Sequence, residues 1–301
     1  MLRRSLSDLL VRHVRQHPRL ENRLRSLVLR ASPARTVLLE YPVYASPRWG
    51  NGKPRHAALH EILNRERPIY ETMARRFREY ARDLAQVPTN ADAGSSEPSW
   101  NNPMLPSLDA IALYTLLCDK NPKRYFEVGS GNSTLFARRA VRDHRLKTEI
   151  LSIDPEPRAE INALCDRTVR SPVETVGLEL FDELEAGDIL FIDNSHRIFM
   201  NSDATVVFLD ILPRLKPGIL VHFHDIFLPF DYPSDWVDRY YSEQYLLAAY
   251  LLAGGDAFRV LWAANFVSGD ERLSAMIAPV WEEIGTAPGE RHGVSFWIET
   301  T

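Results

Sequence analysis

Apolar and polar positions change rhythm along the chain, and each change predicts a different kind of structure. Leu20, Leu24, Leu27 and Val28 recur at helical spacing, and Leu6, Leu9, Leu10 and Val14 do so ahead of Pro18, which predicts two short amphipathic helices. Residues 36–54 set prolines and glycines around Tyr41, Tyr44 and Trp49 and read as an ordered loop. From about His56 to Leu84 the helical period returns, with Met73, Phe77, Tyr80 and Leu84 on one face and Arg75, Arg76, Arg78 and Glu79 on the other. Turn formers then crowd together. This predicts a linker at 87–106, between a helical extension over 1–86 and a main domain over 107–301.

Beyond the linker, Ser107 or Asp109 can cap a helix running through Leu117. Apolar runs at 124–130, 149–154, 188–193 and 218–226 read as strands, separated by helix-like stretches at 133–142, about 157–166 and 203–215. That alternation is the pattern of an α/β fold, a mainly parallel sheet with helices on both faces. A helix at about 242–253 precedes further strands at 258–268 and 293–300. In such a sheet, ligands bind beyond the carboxyl ends of the strands. The residues there are Glu127–Gly131, Asp154, Asp193–His196 and His222–Asp225.

Composition narrows the setting. With 301 residues, 45% hydrophobic and 25% charged, the chain is of ordinary globular make-up and can hold one large domain plus an extension. No apolar run approaches the 18 or so residues of a membrane span. A net charge of −4 gives no reason to expect a nucleic-acid partner. Cys118 and Cys165 are too few for a disulfide framework and read as core thiols. Nothing resembles a secretory signal, so the expected location is the cytoplasm. Residues 1–35 stand apart, with nine arginines against Asp8 and Glu21. Such an arm suits packing on its own domain, contact with a second subunit in a homo-oligomer, or peripheral attachment to the anionic inner face of a membrane.

The segment E-V-G-S-G-N-S-T, residues 127–134, joins a predicted strand to a predicted helix. Gly129 and Gly131 let the backbone turn and approach a ligand closely, while Asn132, Ser133 and Thr134 offer caps and free N–H groups. A dinucleotide fingerprint would carry a third small residue where Thr134 stands. Asp154, ending the second strand, can accept both hydroxyls of a ribose, which points to a nucleoside ligand.

These features resemble the class I S-adenosylmethionine-dependent methyltransferases, whose first loop follows E/D-x-G-x-G with the acid placed as Glu127 is. DILFIDNSH (188–196), PRLKPGILVHFHDIFLPFDYP (213–233) and SEQYLLAAYLL (242–252) sharpen the likeness toward the bacterial methyltransferase domain 24 type, whose members often accompany glycan or natural-product biosynthesis. The resemblance implies a Rossmann-like seven-stranded sheet and S-adenosylmethionine as cofactor. Glu127, Gly129, Ser130, Gly131 and Ser133 would hold its amino-acid part, Asp154 its ribose, and Asp193 and Asn194 would complete its site. The implied reaction is O-methylation of a saccharide or related metabolite. His196 is the candidate base, with His224 and Asp225 on the neighbouring strand end. Asp193, His224 and Asp225 could also converge on a divalent metal, similar to the catechol-type enzymes. His222, deeper in its strand, reads as a core histidine. Acceptor contacts are expected from residues 227–236, Tyr240, Tyr241 and the loops of Trp49 and Trp100, with Glu243 and Gln244 capping a helix or facing the cleft. Two rival readings are an NAD-linked oxidoreductase or epimerase of nucleotide sugars and a non-catalytic scaffold. The former is opposed by the lack of a Tyr-x-x-x-Lys couple in the sheet region.

Overall fold

The computed structural model describes residues 18–31, 37, 41, 43–92, 94–157, 161–254, 257–285 and 291–301. The chain divides into two compact units, Met1–Ala45 and Ser46–Thr301. In the first, helix α1 (Pro18–Ala31) leaves Leu20, Leu24 and Leu27 exposed. The helix expected over residues 6–14 lies outside the described residues. Among the described residues no helix is long and apolar enough to cross a membrane.

The second unit opens with α2 (Ala57–Arg65), α3 (Arg67–Glu79) and the single turn α4 (Ala81–Leu84), which together replace the one long helix expected there. Pro68 starts α3, where its missing N–H costs nothing. Tyr70 and Phe77 are fully buried, their rings 6.0 and 5.0 Å from Trp262. The apolar face of these helices is therefore part of the main core, and the division of the chain falls at residue 45 rather than at the expected linker. Within that linker Trp100 packs on Phe136 at 5.4 Å and its N–H bonds the carbonyl of Pro88.

Helix α5 (Ser107–Lys120) is buried on nearly every side and stops at Asn121, in the left-handed conformation. After it come β1 (Arg124–Val128), α6 (Asn132–Asp143), β2 (Glu149–Ile153), β3 (Arg167–Val169) and β4 (Ile189–Ile192). Then follow α7 (Asp203–Val206), β5 (Leu220–Phe223), α8 (Glu243–Ala253), β6 (Phe258–Ala263), α9 (Ala264–Gly269), α10 (Glu271–Ile284) and β7 (Phe296–Thr300). The helix expected at 157–166 is only a turn at Asn162–Leu164 among its described residues. The one expected at 203–215 winds from α7 into a wider turn and then a tighter one, ending beside Pro213. The strand read as 258–268 turns helical at Ala264. Two elements escaped the pattern: β3, whose short alternating run carries no apolar core, and α10, whose periodicity is interrupted by Pro279.

The strands form one seven-stranded sheet in the order β3-β2-β1-β4-β5-β7-β6, parallel except for the antiparallel β7. This is the Rossmann-like arrangement expected, and the strand order reverses between β1 and β4. Register does the rest: Val128 pairs with both Ile153 and Ile192, and Ile192 pairs with Phe223. Each of these four residues ends its strand, so Gly129, Asp154, Asp193 and His224 emerge side by side along one edge. Backbone bonds continue the ladder into them, from Gly129 N–H to Ile153 at 3.0 Å, Asp193 to Val128 at 2.8 Å and His224 to Ile192 at 3.0 Å.

Candidate active site

A cleft of about 680 Å³ opens over that edge. Gly129, Ser130 and Asp154 line one end, and Asp193, Asn194, His196, His224 and Asp225 line the other. Glu127, Gly131 and Ser133, expected to touch the cofactor, are not part of its wall. Gly129 has φ +78°, and a Cβ there would lie 1.8 Å from the carbonyl oxygen of Asp193, so no other residue fits. Gly131 is extended, and a Cβ would meet nothing within 4 Å.

Glu127 is wholly buried beneath the loop. It accepts hydrogen bonds from Tyr125 Oη at 2.9 Å and from Thr134 Oγ1, which itself accepts from the Gly131 N–H at 3.1 Å. Burial raises its pKa, the hydroxyls of Ser133, Thr134 and Tyr125 offset part of the effect, and the net position is about 7. Its oxygens are thus taken by protein hydroxyls, and Glu127 and Ser133 brace the loop from below.

Asp154 is differently placed. One carboxylate oxygen accepts the Ser130 N–H and the other the Glu156 N–H, both at 2.8 Å, leaving a lone pair on each for a ligand hydroxyl. Ile153, Pro172 and Val173 give the adjoining wall an apolar surface suited to a flat base. Arg170 supports this end from behind, donating to Ser152 Oγ at 2.9 Å and to the Asp154 carbonyl at 3.1 Å. The size of the cleft suits one cofactor with an acceptor beside it.

At the other end four side chains meet. His196 Nε2 lies 3.3 Å from Asp193 and 3.5 Å from Asp225; His224 Nδ1 lies 3.7 Å from Asp193 and 3.4 Å from Asp225. Each ring has a buried carboxylate behind it. Glu243 accepts from His196 Nδ1 at 2.9 Å, and Asp109 lies 3.5 Å from His224 Nε2. Asp109 is not the helix cap it was expected to be: its oxygens accept the N–H groups of Val294 and Ser295. Asn194 lines the cleft, donates to Glu243 at 2.9 Å and accepts the His196 N–H at 2.8 Å, which fixes the ring. Burial works against charge on His196, but Asp193 and Glu243 outweigh it and hold its pKa well above 6.5. Burial is likewise overcome at His224, which Asp193, Asp109 and Asp225 carry to about 9. In return, both rings hold the Asp193 carboxyl down at about 2 in spite of its burial.

Asp193, His224 and Asp225, the candidate metal ligands, do come together. Among the described residues, though, no group of three or more His, Cys, Asp or Glu side chains is arranged to hold a metal ion. The expected ligand set is thus realised as a salt-bridged cluster, in which two imidazoles stand among the four carboxylates of Asp193, Asp225, Glu243 and Asp109. His222 is a core residue, stacked 3.7 Å from Phe191 and bonded at 2.9 Å to Ser295. Of the expected acceptor contacts, Trp236 and Tyr241 line the cleft; Trp49, Trp100 and Tyr240 do not. Arg239, which also lines it, carried no sequence signal beyond its place among aromatic residues.

Residues 126–226 match the family model described as a methyltransferase domain. The matched stretch runs from β1 to just past β5 and carries the glycine loop, Asp154 and the residues from Asp193 to Asp225. Among solved structures, the O-methyltransferase TomG from Streptomyces achromogenes is similar at 15% identity, with 77% of this chain and 89% of that chain covered and a TM-score of 0.36. The methyltransferase PaMTH1 from Podospora anserina is similar at 14% identity over 86% and 100% of the two chains, with a TM-score of 0.41. No curated protein matches the chain.

Proposed function

We propose that the protein transfers a methyl group from S-adenosylmethionine to a hydroxyl of a saccharide or related metabolite. The observation that carries this reading is the carboxylate–imidazole cluster beside the glycine loop, since a hydroxyl acceptor must lose a proton as it is methylated. S-adenosylmethionine, when bound, supplies a methyl group already activated on sulfur. Asp154 would hold its ribose, and Gly129 and Ser130 would border its amino-acid part. Asp193 and Asp225 would orient the acceptor hydroxyl, and His196 would take its proton as the new C–O bond forms.

Calorimetric titration with S-adenosylhomocysteine and, separately, NAD⁺ tests the reading. Binding of the first alone is expected; NAD⁺ binding alone would support an oxidoreductase, and binding of neither a scaffold. Asp154→Ala is expected to weaken S-adenosylhomocysteine by about 10- to 100-fold, the worth of hydrogen bonds to a charged group. Unchanged affinity would remove Asp154 from the ribose site.

His196 also predicts a pH profile. Its ring is held protonated at neutral pH, so the fraction able to accept a proton grows as pH rises. The rate of acceptor methylation is therefore expected to climb from pH 7 into the alkaline range, and His196→Gln to abolish that rise. A wild-type rate that is level between pH 6 and 9 would take the proton-accepting role away from His196.

A further inference from the structure

Trp236 and Tyr241, which line the cleft, carry positive charge over their rings from Arg239, also in the cleft wall, and from Arg197, which is not part of that wall. The guanidinium of Arg239 lies 3.7 Å above the ring of Trp236 and 5.6 Å from that of Tyr241. Arg197 lies 5.3 Å from the other arginine's neighbour, Tyr241, and donates its Nε–H to the Arg239 carbonyl at 2.9 Å. Among the described residues neither guanidinium has a carboxylate within ion-pair distance, whereas Arg67, Arg76, Arg139, Arg142 and Arg167 all do. A guanidinium stacked on a ring keeps its N–H donors in its own plane, pointing outward. Here most of those donors have no protein acceptor.

The rings are in turn held firmly. Phe227 meets Tyr232 at 5.7 Å and Trp236 at 5.3 Å, while Tyr241 meets Tyr232 at 5.8 Å and Trp236 at 5.7 Å. This closed circuit fixes the platform under the arginines. Tyr241 also lies 4.8 Å from the His196 ring, so the arginine platform and the proton-handling cluster adjoin. A molecule with a hydroxyl at His196 that extends past Tyr241 approaches the two guanidiniums, which lie 5.3 and 5.6 Å from that ring.

We infer that Arg197 and Arg239 form an anion-binding lip, and that the acceptor is a hydroxylated molecule bearing a phosphate or carboxylate near its reacting hydroxyl. This inference rests on the methyltransferase reading and narrows its acceptor class. A planar cationic fork is the side chain best matched to either anion, and Arg239, exposed and in the cleft wall, can attract the acceptor before the hydroxyl is seated.

The test uses the full chain saturated with S-adenosylhomocysteine, titrated with glucose 1-phosphate, glucuronate and glucose. Binding of one or both anionic sugars, with glucose silent at the same concentration, is the expected result, and which one binds tells phosphate from carboxylate. Arg239→Gln and Arg197→Gln should each weaken the anionic sugar by about tenfold, and Arg239→Lys should recover only part of the loss because it lacks the planar fork. S-adenosylhomocysteine affinity and melting temperature, measured on each variant, show that the fold and the cofactor end are intact. Equal binding of glucose, no binding of either anion, or anion affinity untouched by both Gln variants would overturn the lip. Failure of S-adenosylhomocysteine itself to bind the wild-type chain would instead overturn the methyltransferase reading.

Discussion

Gly129→Ala is expected to abolish S-adenosylhomocysteine binding and to lower the melting temperature by about 5–10 °C, which corresponds to a few kcal/mol in a chain of this size. Two effects add. Alanine must adopt φ +78°, a conformation unfavourable for any residue with a Cβ, and that Cβ would sit 1.8 Å from the Asp193 carbonyl oxygen. Relief requires the ends of β1 and β4 to part, although Asp193 N–H and the Val128 carbonyl are bonded at 2.8 Å there. Parting them moves Asp193 and the glycine loop together, so cofactor affinity and stability should fall in one step. Differential scanning calorimetry and a titration on the same sample check this; an unchanged melting temperature would mean the two strand ends are not so closely joined.

Asp193→Asn should produce the second large effect. This carboxylate is the common partner of both histidines, at 3.3 and 3.7 Å, and leads the attractions that keep His224 charged. Without it the His224 pKa should fall from about 9 toward 6.5, which the imidazole region of a proton spectrum recorded against pH would show. Turnover is expected to drop by roughly 100-fold, the usual consequence of losing one fixed charge at a reacting centre. Stability should shift with pH as well. The contribution of His224 is complete below pH 6.5 and is lost as pH rises through about 9; that of Asp193 is present above 3.8 and is lost as pH falls toward about 2. The wild-type protein therefore draws most on the cluster between these limits, and the Asn variant should lose that advantage. A His224 titration unmoved by the substitution would show that Asp109 and Asp225 hold the ring without help.

The strand-end residues were legible because buried parallel strands run apolar until they leave the sheet, and the first polar residue marks the exit. Gly129, Asp154, Asp193 and His224 all follow this rule, and the register then sets them side by side. Glu127 shows where such reading stops. Its place in the motif is plain in the sequence, but whether its oxygens face a ligand or three hydroxyls depends on side-chain directions across the β1–α6 turn. Glu243 and Asp109 were visible only as polar residues at helix starts. Their part in the site depends on helices packing behind His196 and His224, contacts that no local pattern encodes. The expected linker failed for a related reason: the apolar face of α3 gives no sign of whether it closes on a cap or on Trp262 of the sheet.

The closed circuit of Phe227, Tyr232, Trp236 and Tyr241 has a consequence for how such an enzyme can diversify. The strand-end side of the cleft is carried by termini locked into a ladder, while its aromatic side is carried by a single stretch of chain whose rings support one another, with Arg197 added from outside it. The two are separable inheritances. On the proposed reading, a new acceptor asks for that segment of about fifteen residues to be rewritten, and the strand ends can stay as they are.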